Sequence, residues 1–318
     1  MRRRYLATVL AGLVALLGFG AYYFAVWYER TTKFEIGLIG DIPYNAEQMR
    51  KTEILFGELD YEDLAFILHD GDIKSGGAPC TDEVFFREKE RFENSVNPLV
   101  YVPGDNEWTD CYRTGYDPTE RLERLREIFF VGDESLGQKT IPLTRQSEEY
   151  PENVQWNYGN VTFLGLNVPG SNNNRGRAPD EYEARNETNL QWLREGFDHA
   201  QADASSAVMI IIQANPGFER PPGGRTGYND FLAALEEETL AFGKPVVLVH
   251  GDTHTYRVDK PMISSVTGER VENFTRAETF GSPEVNWVRA TVDTSDPEVF
   301  TFQPQEIVEE NTIEETTP

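Results

Sequence analysis

Five short apolar runs occur along the chain, and each of them ends abruptly in polar residues. The runs lack the alternation of apolar and polar positions that indicates a strand with one solvated face. We therefore expect strands covered on both faces, as in the parallel part of an α/β sheet. The runs with their polar ends are FEIGLIGD (34–41), AFILHDGD (65–72), PLVYVPGDNE (98–107), AVMIIIQANP (207–216) and PVVLVHGDTH (245–254).

Helical patterns lie between these runs, with apolar residues recurring at intervals of three and four. Strands that alternate with helices predict an α/β layered domain rather than a helical bundle. Residues 154–174 predict two strands around a Gly-Asn turn, and residues 276–304 predict a hairpin at the edge of a sheet. The helical patterns cover residues 46–60, 82–94, 185–201 and 228–242.

The first residues predict a membrane anchor or an export signal. MRRR is followed by 23 residues, 5–27, without a charge, and about 20 apolar residues span a bilayer as a helix. The arginines should stay cytoplasmic, which places the folded part outside the cytoplasm, periplasmic or extracellular. We expect an uncleaved anchor, because the run is longer than a usual signal-peptide core. Gly18 and Gly20 leave cleavage, and so secretion, open.

Composition divides the chain further. The segment 1–32 contains the anchor or signal and a linker, residues 33–304 form the folded domain, and 305–318 predict an acidic disordered tail. Acidic residues outnumber basic ones by 54 to 29, for a formal charge of −25. No nucleic-acid groove is expected, because such a groove needs a basic stripe. A solvated acidic surface and a site for cations both stay open.

The chain has two cysteines, Cys80 and Cys111, each in a loop that follows a Gly-Asp turn. Export would place both in an oxidising compartment. A disulfide between two adjacent loops is therefore expected rather than two free thiols. No histidines stand beside them in the sequence, as a zinc site would require.

The polar ends of the strands are the candidate functional residues. In open α/β sheets the ligand binds outside the carboxyl ends of the strands. A single Asp after Gly often only makes a turn, but five such ends on one rim favour a metal site. The candidates are Asp41, Asp72, Asp105 with Asn106, Gln213 with Asn215, and Asp252 with His254.

This arrangement suits a centre of two metal ions. Two cations about 3.5–4 Å apart, bridged by a carboxylate, stabilise a phosphoryl group and lower the pKa of a bound water. The Gly before each Asp is expected to let the backbone turn sharply, so that the carboxylate faces the metal.

The order of these motifs resembles the calcineurin-like metallophosphoesterase superfamily, whose pattern runs D-x-H, G-D, G-N-H-[DE], H and G-H-x-H. The resemblance covers roughly residues 34–295. It implies a four-layer α/β/β/α sandwich of two mixed sheets, two divalent metal ions and a phosphate ester substrate. The matching stretches are GDIPYN (40–45), HDGDIK (69–74), PGDNEW (103–108), IIQANP (211–216) and HGDTHTY (250–256).

Several positions depart from that pattern. Pro43 replaces the histidine of the first motif, Asn106 the histidine of the third, and Asp252 the first histidine of the last. In the fourth motif Ala214 or Asn215 stands where a histidine is expected. Most replacements exchange imidazole for an oxygen donor, so Mg, Mn or Ca is favoured over Zn, while Fe stays open.

The resemblance implies a role for each candidate. Asp72 would bridge two ions, with Asp41 and His254 on one side. Asp105 or Asn106, with Asn215 and Asp252, would hold the other. Asn106, Glu107 and His69 are the candidates for catalysis, and His250 and Gln213 would support the ligands from behind.

Alternatives remain for both the residues and the protein. His69 is as well explained as a residue packed under the sheet. The favoured function is a metal-dependent phosphoric ester hydrolase. The alternatives are a catalytically degenerate relative that binds a ligand or partner, and another metal-dependent hydrolase such as a nuclease, which the acidic surface disfavours.

Overall fold

A computed structural model describes residues 32–309. The predicted anchor at residues 5–27 lies outside this part of the chain, as do residues 310–318 of the predicted tail. Within residues 32–309, no helix is both long enough and apolar enough to cross a membrane.

Two mixed sheets form the centre of the domain. The first has the strand order β12-β11-β1-β2-β3 and the second β4-β5-β6-β7-β8-β10-β9. The strands are β1 (Lys33–Ile39), β2 (Phe66–His69), β3 (Leu99–Tyr101), β4 (Thr144–Arg145), β5 (Val154–Tyr158), β6 (Val161–Gly165), β7 (Ala207–Ile211), β8 (Val246–His250), β9 (Arg257–Asp259), β10 (Phe274–Glu278), β11 (Trp287–Asp293) and β12 (Phe300–Gln305).

Each sheet combines a parallel part with antiparallel strands. Strands β1, β2 and β3 run parallel, and β11 and β12 add antiparallel pairs. In the second sheet β6, β7, β8 and β10 are parallel, whereas β4, β5 and β9 are antiparallel to their neighbours. The apolar runs therefore form the parallel cores, where both faces are buried.

Within residues 32–309, five α-helices cover the outer faces of the sheets. Their residues pack on the sheets through two outer apolar clusters, while a third cluster fills the space between the sheets. The result is the four-layer α/β/β/α sandwich that the sequence predicted. The helices are α1 (Ala46–Tyr61), α2 (Asp82–Asn94), α3 (Pro118–Phe129), α4 (Pro179–Ala202) and α5 (Asn229–Phe242).

The core between the sheets is continuous and aromatic-rich. Phe66 of β2 meets Trp156 and Phe163 of the second sheet edge-to-face, with ring centroids 5.6 and 5.1 Å apart. All three rings are buried. Such pairs add about 0.5–1.5 kcal/mol each to the burial of their surface. This packing fixes the two sheets against each other and so fixes the relative positions of their strand ends.

Three details differ from the sequence interpretation. Residues 276–278, assigned to the hairpin, belong to β10 in the second sheet, and only β11 and β12 form the edge hairpin. Helix α3 was not predicted, although Asp117 accepts from the backbone N–H of Thr119 and Glu120 as a helix cap.

The beginning of the predicted disordered tail also contacts the domain. Glu309 pairs with Arg50 and Lys51 of α1 at 2.5 and 3.0 Å. The backbone N–H of Val308 donates to Glu58 Oε1 at 2.7 Å. Residues 306–309 therefore lie along α1.

Cys80 and Cys111 form a disulfide, as predicted. It joins the loop after β2 to the short 3₁₀ turn after β3, across a separation of 31 residues. Both sulfurs are buried beside the backbone carbonyl of Asn106. The bond thus links the two loops that follow neighbouring parallel strands.

We predict that the double substitution Cys80→Ser with Cys111→Ser lowers the free energy of unfolding by about 3–4 kcal/mol, because a closed loop of this length restricts the unfolded chain. Urea denaturation of the oxidised wild type and the double variant measures the difference. The variant under reducing conditions is the control, and it should match the reduced wild type. Equal stability of the oxidised wild type and the variant would contradict the prediction.

Candidate metal centre

The carboxyl ends of the central strands lie side by side at one edge of the molecule. The parallel register pairs Ile39 with His69 and His69 with Tyr101, and in the second sheet Ile211 with Val249. The residues predicted as ligands follow these ends, and we call them the rim cluster. The rim cluster comprises Asp41, Asp72, Asp105, Asn106, Asn215, Asp252 and His254.

Asp41 and His254 form one side of the rim cluster. Asp41 is fully buried, and its Oδ2 accepts from the backbone N–H of Asp252 at 2.9 Å. Its Oδ1 lies 3.5 Å from His254 Nε2, and this contact raises the pKa of His254. His254 Nδ1 donates to the Ser282 carbonyl at 2.7 Å. That bond orients the ring and leaves Nε2 directed at the cluster.

Asp72 and Asn106 occupy the middle. Asp72 Oδ1 accepts from the backbone N–H of Asn106 at 2.9 Å, and its Oδ2 accepts from the Asn106 side-chain amide at 2.7 Å. Burial raises the pKa of Asp72 well above its usual value, and the charges of Asp105, Glu107 and Asp41 raise it further. Asp72 is therefore influenced by carboxylates on both sides of it.

Asp105 and Asp252 form the other side. A side-chain carbon at Gly170 would lie 2.7 Å from Asp105 Oδ2 and 2.8 Å from Asp252 Oδ1, so both oxygens face one small space. Burial, followed by the charge of Asp252, raises the pKa of Asp105 to about 8. Burial and Asp41 raise the pKa of Asp252 to about 6. Asn215 donates its backbone N–H to Asp252 Oδ2 at 3.1 Å.

The backbone turns sharply at the ligands themselves. Asp41, Asp72, Asp252 and His254 have φ angles of 54°, 58°, 74° and 57°. These are left-handed values, which Asp and His adopt more readily than most residues but at some cost. Of the glycines that precede Asp41, Asp72, Asp105 and Asp252, only Gly71 has a positive φ, of 106°. The expected turn is therefore made mainly by the aspartates.

The other glycines are needed for space. A side-chain carbon at Gly40 would lie 1.5 Å from Asp70 Oδ1, one at Gly104 would lie 2.2 Å from Asp72 Oδ1, and one at Gly251 would lie 2.2 Å from Asp41 Oδ2. Each glycine thus leaves room for the carboxylate of a neighbouring strand end. The Gly-Asp pairs allow the carboxylates to crowd together.

Glu107 lies beneath the rim cluster, with no exposed surface. Its Oε1 accepts from the backbone N–H groups of Asp72 and Gly104 at 3.0 and 2.6 Å, and from the Tyr101 hydroxyl at 2.7 Å. These contacts hold the second and third motif loops together. A proton-transfer role for Glu107 stays a prediction, and its placement favours positioning.

His69 and His250 also lie below the rim. His69 packs against Phe92 and Tyr101, and its Nδ1 accepts from the Gly71 backbone N–H at 3.2 Å. His250 Nδ1 donates to the Gly251 carbonyl at 2.9 Å rather than to a carboxylate. Burial lowers the pKa of both rings to about 3, so both are neutral at physiological pH.

Gln213 contacts the loop that closes the second side. Its Oε1 accepts from the Gly170 backbone N–H at 2.6 Å, and its side chain is fully buried. Gly170 is the residue against which Asp105 and Asp252 face each other. Gln213 is thus placed behind this pair, and its supporting role stays a prediction.

Residues 171–174 form a left-handed turn beside Asp105. Their φ angles lie between 52° and 61°, an uncommon run of four non-glycine residues. Ser171 Oγ donates to Asp105 Oδ2 at 2.7 Å, and Arg185 holds the turn through Asn173. Together with Tyr112 and Arg177, the loop borders a cavity of about 550 Å³.

Two residues at the rim were not among the sequence candidates. Tyr44 places its hydroxyl 2.9 Å from Asp72 Oδ2. Asp70 is buried with Oδ2 bonded to the Thr279 hydroxyl at 2.7 Å, while its Oδ1 has no partner among the described residues. Asp70 stands two positions before Asp72 in HDGD, and Tyr44 directly follows Pro43. Their closeness to the motifs is the signal that was available.

The donor set fits hard cations. Within residues 32–309 no three His, Cys, Asp or Glu side chains already converge as a ready ligand set. Even so, Asp105 and Asp252 face one space, and burial opposes their ionisation. A cation would neutralise them, and carboxylate and amide oxygens suit Mg, Mn or Ca.

The stability of the metal-free protein should fall as pH rises. The pKa of Asp105 is about 8 in the folded protein against 3.8 for an ordinary aspartate, so between these values the folded state holds a proton that the unfolded state has released. For Asp105 alone, unfolding then becomes easier by about 1.4 kcal/mol per pH unit.

Calorimetry in excess chelator from pH about 5 to about 8 measures this effect. Asp105→Asn, which cannot ionise, should show a clearly shallower decline in Tm. Saturating Mn²⁺ should flatten the wild-type curve, because the cation replaces the proton. A wild-type Tm that rises over this interval in chelator would exclude the assigned direction.

Comparisons with known proteins agree with this architecture. A family model described as calcineurin-like phosphoesterase matches residues 34–256. A solved structure of PhoD superposes with a TM-score of 0.52 at 11% identity, covering 83% of this chain and 64% of that chain, which is just under two thirds of its length. This likeness concerns the fold alone.

Vacuolar Protein Sorting 29 from Cryptosporidium parvum superposes with a TM-score of 0.34 at 13% identity, over 87% of this chain and all of its own. No curated protein sequence matches the chain. The family model nevertheless covers more than half of the sequence, including the five strand-end motifs up to Tyr256. The chain therefore belongs to the calcineurin-like phosphoesterase family.

Proposed function

We propose that the protein hydrolyses phosphate esters through two divalent cations bound at the rim cluster. The family acts on phosphate esters and generally uses divalent metal ions. The observation that carries the proposal for this chain is the crowding of Asp41, Asp72, Asp105 and Asp252 in one buried place. Such crowding is costly without a compensating positive charge.

Two basic side chains near the rim, Lys74 and Arg113, form no ion pair with its four aspartates. Lys74 Nζ donates to the carbonyl oxygens of Ser75 and Asn106 at 2.9 and 2.6 Å. Arg113 pairs with Asp110 at 2.6 Å. Bound cations are therefore the compensating charge in this proposal.

The two sides of the rim cluster supply the ligands. Asp41 and His254 would hold one ion, and Asp105 and Asp252, with Asn215, would hold the other. Asp72 lies between them and would contact both. When bound, the ions stabilise negative charge on the phosphoryl group and activate water.

Arg113 is suited to contact the phosphate. A side-chain carbon at Gly76 would lie 2.8 Å from an Arg113 guanidinium nitrogen and 2.5 Å from Asn106 Oδ1. The guanidinium therefore stands beside the third motif and is half-exposed. Its fork of donors matches phosphate oxygens, so Arg113 would bind and orient the substrate.

We propose further that the domain acts outside the cytoplasm, attached to a membrane through residues 5–27. The disulfide between Cys80 and Cys111 supports this proposal, because disulfides persist in oxidising compartments. Fractionation of producing cells tests it. Alkali-resistant membrane association with an externally accessible domain is expected, and a reduced, cytoplasmic protein would refute it.

Two observations favour a second candidate, a non-catalytic binding protein. The ligand set is not already converged within the described residues, and Asn106 stands where the family has an ionisable side chain. Metal content after purification, with activity on an aryl phosphate, separates the two candidates. Bound metal without turnover would favour the binding protein.

Asp72→Asn should lower turnover at least about 10³-fold, because an amide cannot share a negative charge between two cations. Metal content, measured by mass spectrometry of the purified protein, should fall in parallel while the circular dichroism spectrum is unchanged. Asp293→Asn, at the end of strand β11, is the matched control and should behave as wild type. Wild-type metal content and turnover in Asp72→Asn would show that the proposed ligand roles are wrong.

The reaction should favour good leaving groups. Asn106 Nδ2 donates to Asp72 Oδ2 and Tyr44 Oη, and an amide cannot transfer a proton. General acid catalysis contributes about 10²–10⁴-fold, and the loss matters most for basic leaving groups. We expect kcat/KM to fall steeply with leaving-group pKa across a series of phosphate esters.

Asn106→His should flatten that dependence by restoring a proton donor. Asn106→Gln, which keeps the amide, is the control and should retain the steep slope. A flat slope in the wild type would show that another group supplies the proton.

A further inference from the structure

Tyr44 is held firmly at the rim by its own chain neighbours. It lies directly before Asn45, the residue that caps α1 by accepting from the Gln48 backbone N–H at 3.0 Å. In return Gln48 Oε1 accepts from the Tyr44 backbone N–H at 2.7 Å, and Gln48 Nε2 donates to Ser282 Oγ at 2.7 Å. The start of α1 therefore fixes where the phenol ring can reach.

The phenol oxygen lies among four side chains of the rim cluster. Tyr44 Oη is 2.9 Å from Asp72 Oδ2 and 2.9 Å from Asn106 Nδ2. It is 3.3 Å from Asp41 Oδ1 and 3.4 Å from His254 Nε2. Asn106 donates to the oxygen, and the other three side chains direct Asp41 Oδ1, Asp72 Oδ2 and His254 Nε2 at it.

The single hydrogen of the phenol can serve only one of these three neighbours. Asp72 Oδ2 accepts it at the shortest distance. His254 Nδ1 donates to the Ser282 carbonyl, so Nε2 is the ring nitrogen that faces the phenol oxygen. Asp41 Oδ1 and His254 Nε2 therefore lie beside the phenol oxygen without receiving its hydrogen.

The distances match those between ligands of one cation. Neighbouring ligands on an octahedral ion with bonds of about 2.1 Å stand about 3.0 Å apart, and bonds of about 2.4 Å, as for Ca²⁺, give about 3.4 Å. The distances from Tyr44 Oη to Asp72 Oδ2, Asp41 Oδ1 and His254 Nε2 are 2.9, 3.3 and 3.4 Å, close to this range. The distances from the phenol oxygen to Asp41, Asp72 and His254 are thus those expected between neighbouring ligands of one cation.

We propose that Tyr44 is itself a ligand of a hard divalent cation, such as Mn²⁺, Mg²⁺ or Ca²⁺, which it shares with Asp41, Asp72 and His254. Tyr44 directly follows Pro43, the position at which an imidazole donor is missing, and supplies an oxygen in its place. The proposal rests on the proposed cation site at the rim cluster, but its test reads binding rather than turnover.

Tyr44→Phe is the test, because it removes only the phenol oxygen. The ring keeps its edge-to-face contact with His254, whose centroid lies 5.3 Å away. Tyr256→Phe is the matched control, since Tyr256 stacks on Phe280 at 4.9 Å and is not among the proposed ligands. Chelator-treated wild type, Tyr44→Phe and Tyr256→Phe are titrated with Mn²⁺ by calorimetry, and thermal melts in chelator confirm that each is folded.

We expect one Mn²⁺ site of Tyr44→Phe to weaken at least about 10-fold, the lower end of losses seen on disturbing metal ligation, while Tyr256→Phe keeps both sites. The ultraviolet difference spectrum supplies a second readout. Mn²⁺ should perturb the tyrosine absorption of wild type and Tyr256→Phe, and this change should be absent from Tyr44→Phe.

Unchanged or tighter Mn²⁺ binding by Tyr44→Phe would overturn the proposal and show that the phenol only fills the space between the carboxylates. Wild type that binds Mn²⁺ but hydrolyses no phosphate ester would refute the proposed function and leave the Tyr44 assignment to be decided by the affinity change. Wild type that binds no Mn²⁺ would refute both.

Discussion

Repulsion between buried carboxylates at one edge of two sheets is the constraint to which the rest of this structure responds. The sheets pack through the Phe66, Trp156 and Phe163 rings, which holds their strand ends close together whatever charges those ends contain. Glycines at the motif turns leave the room that the carboxylates need. Backbone N–H groups then stabilise individual oxygens, as for Asp41 and Asp72. These contacts reduce the cost of the charge without removing it.

The residues around the rim cluster either hold its loops in place or limit the charge near it. Glu107 joins the second and third motif loops by accepting three hydrogen bonds through one oxygen. Lys74 is buried nearby, and burial lowers the pKa of its ammonium group. The disulfide links the same two loops at a second point. Asp72 and Asn106 are thus fixed by several independent contacts, whereas Tyr44 reaches the cluster from the start of a helix.

The fold could be predicted from the sequence largely because its central strands are buried on both faces. An uninterrupted apolar run such as residues 245–250 fits few other positions. Helices and strands at the periphery of the domain were harder to predict. Helix α3 has the start signal of Asp117 and Pro118, but its many charges obscure the apolar stripe. The assignment of residues 276–278 to the edge hairpin failed because pairing partners are decided by tertiary packing.

The ligand candidates could be predicted because parallel strands in register bring their carboxyl ends together. The direction in which a side chain near a motif points could not be predicted in the same way. Glu107 is adjacent in sequence to Asn106, yet it faces the interior, because the loop turns between them. Tyr44 was missed because its distance from Asp41 in the motif does not show that the start of α1 directs its side chain at the rim cluster. Asp70 was missed because the sequence does not show whether an aspartate at a turn points beneath the turn or out from it.

The rim is assembled from distant parts of the chain, and this bears on when it can form during synthesis. The Asp41 carbonyl accepts from the Ser282 backbone N–H at 3.1 Å, and the Ser282 carbonyl accepts from His254. Contacts between residues so far apart in sequence form late, since the closure of long loops costs entropy before the contacts return it. A chain emerging end-first from a ribosome or a narrow channel must release residue 282 before Asp41 gains this neighbour. Until then the acidic strand ends of the chain remain apart from one another and exposed to solvent.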